Sequence, residues 1–196
     1  MFSALTPPYD VICADPPWKF ASNSRDNPGR NAMRHYPTVR PEVIAAMPVA
    51  DLAADNAALF LWITGPHLVL GTHLKVMKAW GFKPTAIAFT WVKLKPRAST
   101  LMFLEVDLHM GGGFTTRKNC EFCILGKRGK SLRDSKSVHE VIVSARREHS
   151  RKPPEFLERV RKYVGPDAKI CELFAREQTP GVDAWGNEVD KFGGCR

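Results

Sequence analysis

The 196-residue chain is 44% hydrophobic and 25% charged, an ordinary balance for a globular protein with enough apolar material for a substantial core. Lys and Arg number 29 against 20 Asp and Glu, and the formal charge of +9 favours an acidic partner, with nucleic acid the commonest. No run of about 18 apolar residues is present, which excludes a helical membrane span, and MFSALTPPYD lacks the basic and apolar regions of a secretory leader.

Tyr9 to Ala14 is a short apolar run that stops at Asp15 and two prolines, and it reads as a buried strand. Residues 19–38 are polar and basic and read as an exposed, mobile loop. Pro41 to Leu52 predicts a helix with proline in its first turn. Ala57 to Thr64 (AALFLWIT) predicts a second strand. Pro66 to Trp80 predicts a helix with Leu70, Leu74 and Met77 on one face and Gly81 as its stop. Thr85 to Val92 reads as a third strand, followed by a basic segment, 94–118, whose length and Gly111-Gly112-Gly113 predict mobility.

Asn119 to Gly126 and Val138 to Ser144 read as the fourth and fifth strands. Pro153-Pro154 opens a helix with Leu157, Val160 and Val164 inward and Gly165 as its end. Lys169 to Ala175 is a sixth strand, and the tail beyond it reads as irregular. This alternation predicts an α/β fold: one domain over 1–196, with a doubly wound, mostly parallel sheet and helices on both faces. Such sheets bind ligands beyond the carboxyl ends of their strands.

Five cysteines give an odd count, which fits free thiols in a reducing cytoplasm. Cys120 and Cys123 fall three apart in a predicted strand and so on opposite faces, and no metal site is expected.

The segment with chemistry in it is Asp15-Pro16-Pro17-Trp18. An exocyclic adenine amine is a poor nucleophile because its lone pair is delocalised into the ring. Acceptors on its N–H bonds favour a tetrahedral nitrogen and free that pair. The Asp15 carboxylate and the Pro16 carbonyl are such acceptors, Pro17 stiffens the turn, and Trp18 offers a flat face for a purine. The plain alternative is a strand ended by a proline turn, with Trp18 in the core.

The chain resembles the DPPW-type adenine methyltransferases, the MT-A family named for the seventy-kilodalton mRNA adenosine methyltransferase subunit, in its short bacterial and phage branch. Matching segments run through most of the sequence: ADPPW, His35-Tyr36-Pro37-Thr38, Leu59-Phe60-Leu61-Trp62, Trp91-Val92-Lys93, Arg147 to Pro153, Glu172 to Arg176, and Trp185-Gly186-Asn187-Glu188. The resemblance implies a Rossmann-like class I fold in permuted order, with the catalytic motif before the cofactor motif. It implies S-adenosylmethionine as methyl donor and S-adenosylhomocysteine as product. Asp15 then sits beside that donor and Lys152 holds its carboxylate, with His149 and Ser150 adding donors. Glu172, Phe174 and Arg176 form the cofactor motif, with Ala175 where many members have glycine, and Asn187 and Glu188 lie near the adenosine half. Tyr36 covers the active-site mouth. Trp91, Lys93, Arg117 and Asn119 are substrate-side candidates, Trp91 and Lys93 being equally candidates for the core.

The reading is therefore adenine-N6 methylation, with DNA favoured over RNA, by a cytoplasmic enzyme. In this reading a homodimer or a protein partner supplies target recognition where loops 19–38 and 94–118 do not. The alternative of another class is a non-catalytic nucleic-acid-binding subunit.

Overall fold

The computed structural model describes residues 1–19, 38–111, 116–148 and 150–192. The elements are β1 (Tyr9–Ala14), α1 (Pro41–Ala45), β2 (Ala53–Ile63), α2 (Gly65–Val69), α3 (Thr72–Ala79), β3 (Lys83–Leu94), β4 (Cys120–Arg128), β5 (Val141–Ala145), α4 (Glu155–Val164), β6 (Ile170–Leu173) and β7 (Asp183–Trp185). The strands form one sheet in the order β5-β3-β4-β2-β1-β6-β7. Strand β4 runs antiparallel to β2 and β3, and every other pairing is parallel. This is a mixed α/β, Rossmann-like sheet, as the alternation of elements predicts.

The unbroken apolar run of β2 has a simple cause: the strand is buried on both faces. Leu59, Leu61 and Ile63 join Ile44 of α1, Val76 and Met77 of α3, and Trp80 in one core. Phe60 and Trp62, pointing the other way, join Phe89 and Trp91 of β3 and Phe156 and Val160 of α4 in a second. The Trp80 indole donates to the Ile44 carbonyl at 3.0 Å and ties the end of α3 to α1.

Four elements depart from the pattern reading. The helix expected over Pro66–Trp80 breaks at Gly71, which is left-handed (φ 65°). The break reorients α3, so Leu70 and Leu74 are exposed and the buried positions are His67, His73, Val76, Met77 and Trp80. The helix expected over Pro41–Leu52 stops at Ala45, and Val49–Leu52 is a separate 3-10 turn. Pro48 between them lacks an N–H and disfavours helical backbone before it. The tail is not wholly irregular: β7 pairs with β6, and three residues are too few for a periodic signal. Segment 94–118 begins as a hairpin, with Leu94 bridged to Leu108 and a 3-10 turn at Glu105–Asp107. Most of loop 19–38 lies outside the described residues.

Phe60 stacks on Phe89 at 5.8 Å and meets Phe156 and Tyr163 edge-on. We expect Phe60→Ala to cost ~3–5 kcal/mol in urea denaturation, because neither sheet nor α4 can collapse into the gap.

Candidate active site

The parallel strands end along one edge of the sheet, and antiparallel β4 begins there. The register makes the convergence concrete: Ala14 pairs with Leu61 and Leu173, Trp91 with Glu121, Leu94 with Ala145, and Leu173 with Trp185. Asp15, Lys93, Glu121, the 144–152 segment, Glu172 to Arg176 and Glu188 are thereby gathered from six strands onto one rim.

Asp15 follows β1 directly, and its N–H reaches the Leu173 carbonyl at 3.4 Å. The turn after it is closed on both sides. The Pro16 carbonyl accepts the Trp18 N–H at 2.8 Å, and the Pro17 carbonyl accepts the Val39 N–H at 2.8 Å. Pro16 oxygen keeps a second lone pair.

Trp18 does not offer the open stacking face expected of it. It is 3% exposed and lies in the first core. Its indole donates to the Trp62 carbonyl at 3.0 Å, and its ring tilts against His67 at 5.4 Å. His67 in turn meets the Lys19 carbonyl at 3.1 Å through Nε2 and Thr72 through Nδ1. The physical reason is that a rigid proline turn needs an anchor, and the largest side chain beside it supplies one.

Lys152 is the hub of the site. Its ammonium pairs with Asp15 Oδ2 at 2.5 Å and Glu121 Oε2 at 3.2 Å, and reaches the Ser150 carbonyl at 3.4 Å. It also lies over the Trp62 ring at 5.4 Å. Lys93 joins the cluster through Glu121 Oε1. The result is an alternating chain, Lys93–Glu121–Lys152–Asp15, with each side chain mostly buried. Lys152 thus spends its three donors inside the protein. Holding a cofactor carboxylate, the role the resemblance implies, requires it to exchange one of these partners.

The charge states follow from the pairing. Burial pushes the Asp15 carboxyl up, and Lys152 opposes that without reversing it. Burial also acts to raise Glu121, but Lys152 and Lys93 together hold it down at about 2. Burial acts to lower Lys152, and Asp15 and Glu121 raise it instead, so it stays charged. Glu172, which faces Cys13 across the β1–β6 pairing, is pushed up to about 7, first by burial and then by Asp15 and Glu177.

Glu121 and Arg151 are site residues that sequence reasoning missed. Glu121 sits in an otherwise apolar run, and a charge in a buried strand is itself a signal. Arg151 pairs with Glu177 through both Nε and a terminal nitrogen, and Arg147 adds a 3.7 Å contact to the same carboxylate. These bonds staple the Lys152 segment to the turn after β6.

Two non-glycine residues among those described have left-handed backbone, Ser150 (φ 65°) and Phe174 (φ 62°), and both flank the site. Such strain persists where surrounding contacts enforce it. Phe174 packs edge-on against Trp185 at 5.7 Å. Gly186 fits beneath it: a Cβ there would lie 2.5 Å from the Ala175 carbonyl oxygen. Arg176 pairs with Glu188 at 3.3 Å, which brings the segment after β6 and the 187–188 turn together. Asn187 is exposed beside them.

The remaining candidates divide. Trp91 is core rather than substrate face: it is buried, and its indole points to the Ser144 carbonyl at 3.4 Å. It supports Lys93, whose ammonium lies 4.6 Å from its ring centre. Asn119 accepts the Lys93 N–H through its carbonyl and the Cys120 thiol through its side chain, and Arg117 is exposed just before it. Tyr36 and His149 lie outside the described residues. Among the described residues, no cluster of His, Cys, Asp and Glu is arranged to hold a metal, and Cys13, Cys120, Cys123 and Cys171 are free thiols.

The MT-A70 family model matches residues 9–188. The chain is 29% identical to the type II methyltransferase M.MunI of Mycoplasma sp over 198 residues, covering 92% of this chain and 78% of that protein. It is 32% identical to the human N(6)-adenine-specific methyltransferase METTL4 over 94% of this chain, but spans only 38% of that protein. It is 30% identical to the N6-methyladenosine RNA methyltransferase MTA1 of Cryphonectria parasitica over 97% of this chain and 54% of that protein.

The Glu172 carboxyl titrates higher in the folded chain than its ordinary value of 4.5. Between 4.5 and about 7 the native state therefore binds more protons than the unfolded one, and stability falls as pH rises through that window. We expect Glu172→Gln to flatten this slope and to be more stable than the parent at pH 8 but not at pH 4.5, read from urea denaturation at the two pH values.

Proposed function

We propose, from the premise that this chain belongs to the MT-A70 family of methyltransferases, that it transfers a methyl group from S-adenosylmethionine to the exocyclic N6 amine of adenine in DNA. The observation that carries the reading is a buried carboxylate, Asp15, held at a strand end by Lys152 and followed by a locked Pro-Pro turn.

The residues perform distinct tasks. Lys152 occupies Asp15 Oδ2, and no described residue donates to Oδ1. Oδ1 then accepts one amine hydrogen and the free lone pair of the Pro16 carbonyl accepts the other. Both bonds favour a pyramidal nitrogen with its lone pair localised. Burial raises the proton affinity of Asp15, which suits it to take the proton the amine sheds, while Lys152 keeps it ionised beforehand. Holding the amine fixed before attack supplies much of the rate.

The donor set suits the methyl donor. Glu172, with no hydrogen bond or ion pair among the described residues, and the Arg176–Glu188 pair offer partners for an ammonium and for ribose hydroxyls. Lys152 is the cation for a carboxylate. When bound, S-adenosylmethionine supplies a methyl group on a sulfonium leaving group.

The +9 charge supports a nucleic-acid substrate, and the similarity to M.MunI supports DNA. RNA is the second reading, favoured by the similarity to MTA1, named as an RNA methyltransferase. A non-catalytic subunit is disfavoured because Asp15 and Lys152 are both present and paired. The enzyme works in the cytoplasm, with its thiols reduced, and a second copy or a protein partner supplies target choice beyond its own loops.

Asp15→Ala should still bind S-adenosylmethionine in calorimetry yet lose at least ~100-fold in methyl transfer. Radiolabelled transfer to DNA, RNA and adenosine in parallel assigns the substrate. Parental rates for Asp15→Ala would refute the catalytic role.

A further inference from the structure

We propose that the hairpin between β3 and β4 carries an apolar wedge, Leu101, Met102 and Leu104, which enters duplex DNA and fills the gap left when the target adenine swings out. The proposal rests on the DNA-methylating reading above.

The need for such a part follows from the site. Asp15 lies in a recess, with about a fifth of its side chain exposed. An adenine stacked in a duplex cannot bring its amine there, so it must leave the helix, and unstacking costs a few kcal/mol. Proteins that distort duplexes commonly offset this cost by inserting apolar side chains into the base stack.

The hairpin has the required form. Leu101 is 98% exposed, Met102 82% and Leu104 69%, three apolar side chains that join neither core, with the less exposed Phe103 between the last two. They are not on slack chain. Ser99 Oγ accepts the N–H groups of Leu101 and Met102 at 3.2 and 3.3 Å, and Asp107 accepts that of Leu104 at 2.9 Å. Below them the stem is closed by Lys95 N–H to the Asp107 carbonyl and His109 N–H to the Lys93 carbonyl, both at 2.8 Å. The stem therefore grows out of Lys93, the outer member of the charge chain that ends on Asp15.

Charge assigns the occupant. Lys95 and Arg97 lie on the rising arm, Lys118 is bonded to Gly111 at the falling arm, and Arg146 is bonded to Leu94 at the base. Of the hairpin's acids, Asp107 is turned inward onto Leu104, which leaves Glu105 alone against these cations. An apolar tip on a cationic stem matches a base stack flanked by phosphates.

The test compares the parent with Leu101→Ser/Met102→Ser/Leu104→Ser on plasmid DNA and on the same DNA heat-denatured, scoring methyl transfer. All three positions are exposed, and an unchanged melting temperature checks folding. The wedge predicts at least a ~10-fold fall in kcat/KM on duplex, equal to about 1.4 kcal/mol of lost insertion energy, and a change of under ~2-fold on denatured DNA. Equal losses on both substrates, or no loss on either, overturn it. So does a shift from dimer to monomer in light scattering, which would make the patch a contact between copies. A parent inactive on both forms of the DNA instead overturns the DNA-methylating reading. A parent active only on denatured DNA overturns the wedge alone.

Discussion

The site depends on one interaction, the ammonium of Lys152 held between the carboxylates of Asp15 and Glu121. A buried carboxylate without a cation takes up a proton and loses its value as an acceptor. Two buried carboxylates without one repel each other. The alternation Lys93–Glu121–Lys152–Asp15 removes both problems and fixes where each oxygen lies. The desolvation involved is large enough that such a chain is not there for stability alone. It keeps the Asp15 carboxylate charged in a place from which water is mostly excluded.

The rest of the molecule can be understood as the means of delivering that chain. Its four members come from four places in the sequence: the ends of β1 and β3, the start of β4 and the segment after β5. Only a sheet in which β4 runs against its neighbours puts the start of one strand beside the ends of the others. Glu121 on β4 therefore faces the strand-end residues rather than the opposite edge. The Lys152 segment has no strand to hold it, and Arg151 and Arg147 fasten it to Glu177 across the rim. Left-handed Ser150 and Phe174 mark where the backbone is bent to meet those demands.

Trp18 illustrates how an anchor and a proline turn become one motif. Its burial against Trp62 and His67 does not bring it onto a substrate, but it removes the freedom of the two prolines before it. The carbonyl of Pro16 is then held by a chain that cannot swing. A polar loop residue at that position would leave the turn free to move, and the geometry around Asp15 with it.

The sequence alone determined much of this. The α/β alternation, a strand over Ala57 to Thr64, Asp15 at a strand terminus and Lys152 ahead of a helix were all legible, because each is a local pattern of residue type and spacing. The resemblance placed Arg176 and Glu188 each beside the cofactor, and their ion pair is a contact that only the folded chain shows. What local pattern could not reach was decided by partners distant in the chain. Glu121 became a site residue because β4 is antiparallel. Trp18 and Trp91 became core because other elements cover them. Leu70 and Leu74 turned outward because a single left-handed glycine reset the helix phase. Strand β7 formed because β6 offered an edge. Periodicity states which residues of an element share a face, whereas only the packed sheet states what that face meets.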